Sequence, residues 1–463
     1  MPFYTSLKIY ENDDESARSK KQRVAATLRR LRAAASEHFT ESGSEGDHRS
    51  SVRIATWNLR EFGGGKYEGR GFEELYYIAE IISNFDIVAL QEVRADLTEF
   101  HQLRRVLGPD WDFVATDVTD GSAGNGERMI FLFNRRHVQF RNIAGELTLK
   151  EGGKIRAAFG ERVRLQDGTK LVLPEDAESL SGTYRARIKK SGEVRKLDAD
   201  LEIPLPANSI LELPEGSSLV VKKNTEVISP GRGEATVEVA NKVEGEDYGL
   251  RLPQNSFDDS LRQFARTPYL LSFQAGWLKL NLCTVHIYYG DADDENKLEQ
   301  RRSEIEQLTK ALAAKAKGEF KHDDKTFLGV LGDFNIIGEG HPTMEALESN
   351  DFLIPDELKS IPGSNVARDK AYDQIAFWSP SRITGYARLD VRAANVFDFF
   401  EHVFTTDDEP IYRAEQVEES GLKPSSKYST WRTYKMSDHL PMWVELRTDF
   451  SEEYLEEIEN EAD

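Results

Sequence analysis

The sequence predicts one large α/β unit, interrupted by a small β-rich module and preceded by a helix. Three observations carry this. From Val52 onward, short β-branched or aromatic runs ending at Gly, Asn or Asp alternate with stretches of helical periodicity. Residues 151–255 break the alternation: closely spaced turn signals (EGG, QDGTK, KSGE, LPEG, SPGRG) separate short valine- and leucine-rich runs, as in a small antiparallel module. Finally, 463 residues exceed the ~250–300 at which a single hydrophobic core stops growing.

Taken in order, Ser16 to Arg32 holds seven basic residues and no acidic one, with Val24, Leu28 and Leu31 at i, i+4 and i+7. That spacing predicts a helix with one apolar face on the body and a solvated basic face; a nucleic-acid or protein contact is the competing reading. Residues 40–50 read as a flexible linker. VRIATWN, DIVALQE, MIFLFN, YLLSF, LKLNLCTVHI, TFLGVLGDF, YDQIAFW and PMWVEL read as strands, and Glu73 to Asn84, Leu97 to Leu107 and Glu295 to Ala316 as helices. Ser451 to Asp463 carries seven acidic residues and no basic one, a third of the net charge of −21, and reads as a solvated, mobile tail. The division is therefore 1–50 (basic helix and linker), 51–150 plus 256–450 (the α/β unit), 151–255 (β-rich insert) and 451–463 (acidic tail).

Composition narrows the class. With 39% hydrophobic and 10% aromatic residues the chain is globular rather than disordered. The single cysteine, Cys283, excludes an internal disulfide framework, reads as a small buried hydrophobe in a strand, and agrees with a reducing, cytoplasmic setting. The N-terminal MPFYTSLKIYENDDES contains no apolar run for a signal peptide, and no stretch reaches the ~18–20 apolar residues of a membrane span, so no membrane association is expected. The acidic balance argues against a nucleic-acid partner unless a local patch overrides it.

The chemistry lies at strand ends. Six polar clusters follow apolar strands or precede them: Trp57-Asn58-Leu59-Arg60, Gln91-Glu92-Val93-Arg94, Glu127-Arg128, Thr284-Val285-His286, Gly332-Asp333-Phe334-Asn335 and Ser437-Asp438-His439. Loops at the ends of a rigid sheet are where sites assemble in α/β proteins. Carboxylates, carboxamides and imidazoles without cysteine suit a hard, oxygen-preferring cation such as Mg²⁺, with Mn²⁺ as a substitute, rather than structural zinc. Such a set fits phosphoester hydrolysis, which needs charge neutralisation at phosphoryl oxygens, a group for water and an acid for the leaving oxygen.

In this order the clusters resemble the endonuclease/exonuclease/phosphatase superfamily, and within it the deoxyribonuclease I branch. The likeness runs through VRIATWNLREFG, DIVALQEVR, ERMIFLFN, FARTPY, TVHIYY, LGDFN, AYDQI and MSDHLPMWVEL, and leaves the N-terminal region, the insert and the tail outside. It implies a four-layered α/β/β/α sandwich with the site at one edge. It further implies that Glu92, Asn58 and Asp438 hold the metal or phosphate, that His439 pairs with Asp373 and His286 with Glu127, and that Asp333 and Asn335 align water and grip a phosphoryl oxygen. Arg60, Arg94 and Arg266 match positions that touch a nucleic-acid backbone, where a planar fork meets phosphate bidentately. The remaining histidines, among them His38 and His341, match no motif and are expected to be structural or exposed.

The implied activity is metal-dependent hydrolysis of DNA by in-line attack of water, leaving a 5′-phosphate and a 3′-hydroxyl. Two departures bear on it. Asn125 stands where the branch has an aromatic that packs in the minor groove, and the 151–255 insert has no counterpart. The insert reads as a substrate-selecting lid or as a docking module for a partner protein. The competing activity is a phosphatase or phosphodiesterase on inositol phosphates or phospholipid-type substrates. An interaction protein with a dead nuclease core is a third reading, and no expected acid or histidine is missing to support it.

Overall fold

A computed structural model describes residues 2–44, 50–119, 126–147, 264, 266–289, 295–320, 326–379, 389–420 and 426–460, together with short strands between 154 and 251. The chain forms two compact units, Met1–Leu147 with Phe264–Asp463, and Thr148–Gln263. In the larger unit the order begins α1 (Glu15–Glu41), β1 (Ser51–Phe62), α2 (Phe72–Ile82), β2 (Ile87–Arg94), α3 (Thr98–Leu107), β3 (Trp111–Ala115), β4 (Glu127–Asn134) and β5 (Gln139–Glu146). After the insert come β6 (Tyr269–Ala275), β7 (Leu278–His286), α4 (Glu295–Phe320), β8 (Thr326–Asp333), α5 (Pro342–Leu347), β9 (Phe352–Leu353), α6 (Asp356–Lys359) and β10 (Asp373–Trp378). The chain ends with β11 (Val391–Val396), α7 (Glu409–Ser420), α8 (Tyr428–Lys435), β12 (Met442–Arg447) and α9 (Ser451–Asn460).

Two six-stranded sheets stack face to face, in the orders β11-β12-β1-β2-β4-β3 and β9-β10-β8-β7-β6-β5. Each has a parallel pair at its centre, β1 with β2 and β7 with β8, flanked by antiparallel strands. Central strands covered on both faces are apolar on both faces, which is why β1 and β2 are buried almost throughout. Phe131 and Phe133 of β4 meet Phe273 of β6 across the interface at 5.6 and 5.4 Å between centroids, geometry that favours edge-to-face contact. On one outer face lie α1, α2 and α3; on the other, α4 and α5 pack beside β8. This is the four-layered sandwich expected above.

Helix α1 buries Val24, Leu28, Leu31, Ala35 and Phe39, with Asp14 accepting the Ala17 amide as its N-cap. Its basic face meets acids within the unit: Arg23 pairs with Glu73 and Glu415, Arg32 with Glu80, and Lys21 with Asp13. The acidic tail, expected to be solvated and mobile, has no buried residue in its described part but is helical there. Ser451–Asn460 is helical, Arg447 pairs with Glu453, and Tyr454 lies 5.3 Å from Trp277. Glu452 and Glu453 occupy the first turn, where the helix dipole favours negative charge. Charge count hides this, because the acids alternate with Tyr454, Leu455 and Ile458 at helical spacing.

The smaller unit is built of antiparallel strands. Leu201–Leu205, Glu161–Leu165, Glu226–Ser229 and Gly233–Thr236 form one sheet in that order. Pro204 falls in the strand at the end of this sheet's order, where proline is tolerated. Ser218–Val220, Lys170–Val172 and Arg195–Lys196 form a second sheet, and two further pairs complete the described strands.

One stability prediction arises from the α1 contact. The Trp443 indole N–H donates to His38 Nε2 at 3.1 Å, so the docked imidazole must keep that lone pair. Burial, with Arg368 and His402 adding positive potential, pushes His38 down to about 4 from 6.5. The unfolded chain therefore takes up the proton first as pH falls. The contribution is complete above pH 6.5 and is lost as pH drops towards 4, by about 2 kcal/mol. Scanning calorimetry should show this part of the acid slope absent in His38→Gln; parallel wild-type and variant slopes would contradict it.

Candidate active site

All six polar clusters meet at one edge of the stacked sheets. The parallel strands β1, β2, β7 and β8 end there, and β4, β10 and β12 begin there, as the pairs Arg94↔Glu127 and Asp333↔Asp373 require. The chain is irregular at this edge. A register shift separates Asn58 from Phe62, and Arg60, Glu61, Glu92 and Asn335 adopt positive φ, a conformation that persists in side-chain-bearing residues only where surroundings over-determine it. Gly332 has φ +149°, and a Cβ there would stand 2.1 Å from Val285 O, so only glycine lets β8 run so close to β7 just before Asp333.

Hydrogen bonds tie the two sheets together. Asn58 is fully buried, and its Nδ2 donates to Glu92 Oε1 and to Asp333 Oδ2, both at 3.0 Å. Gln91 Nε2 donates to Thr284 Oγ1 at 2.9 Å. Glu92 Oε2 accepts the Glu61 amide. Burial alone raises the Glu92 carboxyl, but the His286 imidazole, the Asn58 amide and the Glu61 N–H outweigh it and hold the group at about 2.

Both histidines have the same construction. His286 Nδ1 lies 2.9 Å from Glu127 Oε1, and His439 Nδ1 lies 2.7 Å from Asp373 Oδ2. Their Nε2 atoms face the same Asp333 Oδ2, at 3.6 and 3.7 Å. A carboxylate behind Nδ1 fixes tautomer and ring orientation and stabilises the imidazolium. Burial lowers His439, but Asp373 and Asp333 overcome it and hold the ring well above its ordinary value. For His286, burial and Arg266 act downward, while Glu127 and Asp333 leave it raised.

Asp333 Oδ1 accepts the Asn335 amide, and Asn335 Nδ2 donates to Ile287 O. The structure thus brings together Asn58, Glu92, Glu127, His286, Asp333, Asn335, Asp373 and His439. Asp438 lies at the rim, its carboxylate 3.2 Å from Arg60 Nη1. Arg94 stands near Glu61 at 3.8 Å. Arg266 is placed differently from expectation: it is 6% exposed, with Nε against the Glu127 carboxylate, so its guanidinium backs the Glu127–His286 pair. Asn125 lies outside the described residues.

Three supporting residues have no role assigned by the motifs, and two of them, Ser364 and Arg301, lie outside the motifs altogether. Ser364 Oγ donates to Asp373 Oδ2 at 2.7 Å. Ser437 Oγ donates to Asn58 O and accepts the His439 amide, joining the two clusters. Arg301 of α4 is fully buried and donates through Nη1 to Asn335 O at 2.7 Å, pinning the left-handed residue after Asp333. A serine beside the histidine is visible in Ser437-Asp438-His439; nothing in the sequence around Arg301 marks it.

Among the described residues, two groups of donor atoms are close enough to share a cation, Glu92 with Glu127 and His286, and Asp333 with Asp373 and His439. Glu127 is already taken by His286 and Arg266, and Asp373 by His439 and Ser364. That leaves Glu92 in the first group and Asp333 in the second as the carboxylates not committed to a histidine Nδ1; Asn58, whose Oδ1 accepts the Arg60 amide, and Asp438, paired with Arg60, lie on the Glu92 side. An all-oxygen set with an ionised carboxylate fits Mg²⁺ or Mn²⁺.

No protein-family model matches the sequence, and no curated protein matches it. Solved structures of endonuclease/exonuclease/phosphatase family proteins are similar to it. One, from Bacteroides thetaiotaomicron, is 13% identical, with 86% of this chain and 95% of that chain covered at a TM-score of 0.40. The mannosyl-6-phosphatase of that organism is 13% identical, with 85% and 99% covered at 0.39. D. rerio TDP2 complexed with a single-strand DNA product is 9% identical, with 86% and 98% covered at 0.38.

Proposed function

We propose that this chain is a divalent-metal-dependent phosphodiesterase that cleaves DNA internally, leaving a 5′-phosphate and a 3′-hydroxyl. The observation that carries the reading is the pair of carboxylate-backed imidazoles whose Nε2 atoms face one aspartate oxygen. A phosphoryl group seated between them meets a proton donor, a positive charge and a carboxylate at once. Asp333 holds the attacking water and accepts its proton as the P–O bond forms. The imidazolium of His439, held well above its ordinary value, is a poor acid and a good clamp for a non-bridging oxygen. His286 gives its proton to the departing 3′ oxygen. Asn335 has a second amide hydrogen for the phosphoryl group, since one is spent on Ile287 O. A cation held by Glu92, Asn58 and Asp438 would supply Lewis-acid neutralisation of the phosphoryl charge.

The test is incubation of supercoiled plasmid with the protein and Mg²⁺, alongside a panel of phosphomonoesters including inositol phosphates. Nicked circles with 5′-phosphate ends are expected, and EDTA should abolish them. Intact plasmid, with His286→Ala indistinguishable from wild type and phosphate released from the monoesters, would shift the assignment to a phosphatase.

A further inference from the structure

At the end of the sandwich away from the catalytic edge, the C-terminus of α3 and the N-terminal arm form an open cavity of about 580 Å³. Trp111, the first residue of β3, pairs with Asn134 at the far end of β4, whose first residue is Glu127. At ~3.3 Å per residue, the length of β4 puts about 23 Å between this end and the catalytic edge. His101, Arg104 and Arg105 line the cavity from α3, and their i, i+3, i+4 spacing puts them on one helix face. Phe3 and Thr5 line it from the arm, and Gly108 joins them at the helix end.

The arm is tied in place. Phe3 N donates to Val106 O at 2.6 Å, Ser6 N donates to Tyr76 OH at 3.0 Å, and Tyr4 OH donates to Glu80. Gly108 has φ +95° and caps α3 by donating to Arg104 O at 2.9 Å; a Cβ there would stand 2.3 Å from Phe3 Cε2, so only glycine lets the ring lie against the helix end. That ring remains 51% exposed. The Arg104 guanidinium lies 4.9 Å over the Phe113 ring, and stacking by its face leaves its N–H edges for hydrogen bonds. Arg104 Nε is buried and has no hydrogen-bond partner among the described residues. The carboxylates around this end are already engaged: Glu99 by the amides of Gly63 and Arg70, Glu80 by Arg32, Asp110 by Arg136 and Asp112 by Arg135. Among the described residues His101, Arg104 and Arg105 form no ion pair. The dipole at the end of α3 favours cations here, but its half charge does not offset two guanidiniums.

We infer that this cavity is a second, non-catalytic binding site for a small phosphate ester that carries an aromatic ring, a mononucleotide being the plainest case. Arg104 and Arg105 take the phosphate oxygens through charge-assisted hydrogen bonds, and His101 and Thr5 add polar contacts. The exposed part of the Phe3 ring offers a stacking surface for the base. The cavity volume falls within the ~300–1,000 Å³ usual for small-molecule sites. The site does not depend on which phosphoester the catalytic edge cleaves.

Isothermal titration of the full chain in EDTA with AMP, inorganic phosphate and adenosine tests this. AMP should bind wild type at a single site, more tightly than either inorganic phosphate or adenosine, and should bind His439→Gln equally well, because that change lies at the catalytic edge. Arg104→Ala should weaken AMP and inorganic phosphate alike, by about tenfold or more. Arg105 is exposed, so Arg105→Ala should keep the wild-type Tm while weakening both by about two- to fivefold. Phe3→Ala should weaken AMP by about fivefold or more and leave inorganic phosphate unchanged. No heat with AMP up to millimolar concentration, or AMP affinity that survives both arginine variants or is lost in His439→Gln, would overturn the site. Equal affinities for AMP and inorganic phosphate, both unaffected by Phe3→Ala, would overturn the aromatic class of ligand.

Discussion

Replacing His439 by alanine should lower kcat/KM for phosphodiester cleavage by about 10²–10⁴-fold. The ring is buried, fixed through Nδ1 by Asp373 and aimed through Nε2 at Asp333, so no other imidazole can take its place by a rotamer change. The loss should fall mainly on kcat, because a positive charge aimed at a developing phosphoryl charge acts in the transition state more than in the ground state. Alanine also leaves Asp373, itself fully buried, with only Ser364 as partner, at a stability cost of about 1–3 kcal/mol. His439→Gln separates the two effects: it can still meet Asp373 through its amide, so Tm should recover while kcat stays low. Asp373→Asn should also reduce kcat strongly, since the amide no longer stabilises the imidazolium. If His439→Gln cleaves plasmid at the wild-type rate, the catalytic assignment of the ring is wrong.

Much of this architecture is legible in the sequence, for a physical reason. Strands such as IATWN, VALQE and LCTVH are apolar on both faces because sheet and helix cover both, and the first polar residue after such a run marks the sheet edge. Asn58, Glu92, His286 and Asp333 are visible in that way. Asp373 and Glu127 begin strands, and here too the switch from polar to apolar is the signal. Other features depend on contacts far apart in the chain. Arg301 meets Asn335 across 34 residues, and within LEQRRSEIEQ it looks like one more charge on a solvated helix face. Ser364 sits in Pro362-Gly363-Ser364-Asn365, which reads only as a turn. Arg266 keeps its place in the FARTPY motif yet points into the protein, because Glu127 behind His286 offers a buried anion close by. Spacing identifies which residues approach the edge; which way each arginine turns there is decided by the nearest uncompensated carboxylate.

The same reasoning changes the meaning of the net charge. Arg60, Lys66 and Arg94 lie within one rim, while seven acids lie in the C-terminal segment, on and just beyond α9. Exposed charges further apart than the Debye length, ~8–10 Å in physiological salt, are largely screened from one another. Net charge therefore says little about the rim, where Arg60, Lys66 and Arg94 meet Glu61 and Asp438.

Glu92→Gln should abolish activation by Mg²⁺ and weaken divalent-cation binding by at least about 10–100-fold, measured by isothermal titration with Mn²⁺. Glu92 joins both halves of the site: Oε1 accepts from Asn58, Oε2 accepts from Glu61, and His286 Nε2 lies 3.9 Å away. Its carboxyl, held at about 2, is ionised throughout the range in which the enzyme would work. A hard cation needs that charge, and glutamine of the same shape cannot supply it. The variant should fold, because its amide oxygen can still accept the Asn58 or Glu61 hydrogen. It removes one buried negative charge beside His286, so that ring should also titrate lower than in wild type. Asp438→Asn gives the internal comparison. Asp438 is a rim residue already paired with Arg60, so its replacement should weaken cation binding less than Glu92→Gln does. Equal Mn²⁺ affinities in wild type and Glu92→Gln would place the cation elsewhere at this edge, with the Asp333 and His439 group the next set of donors to examine.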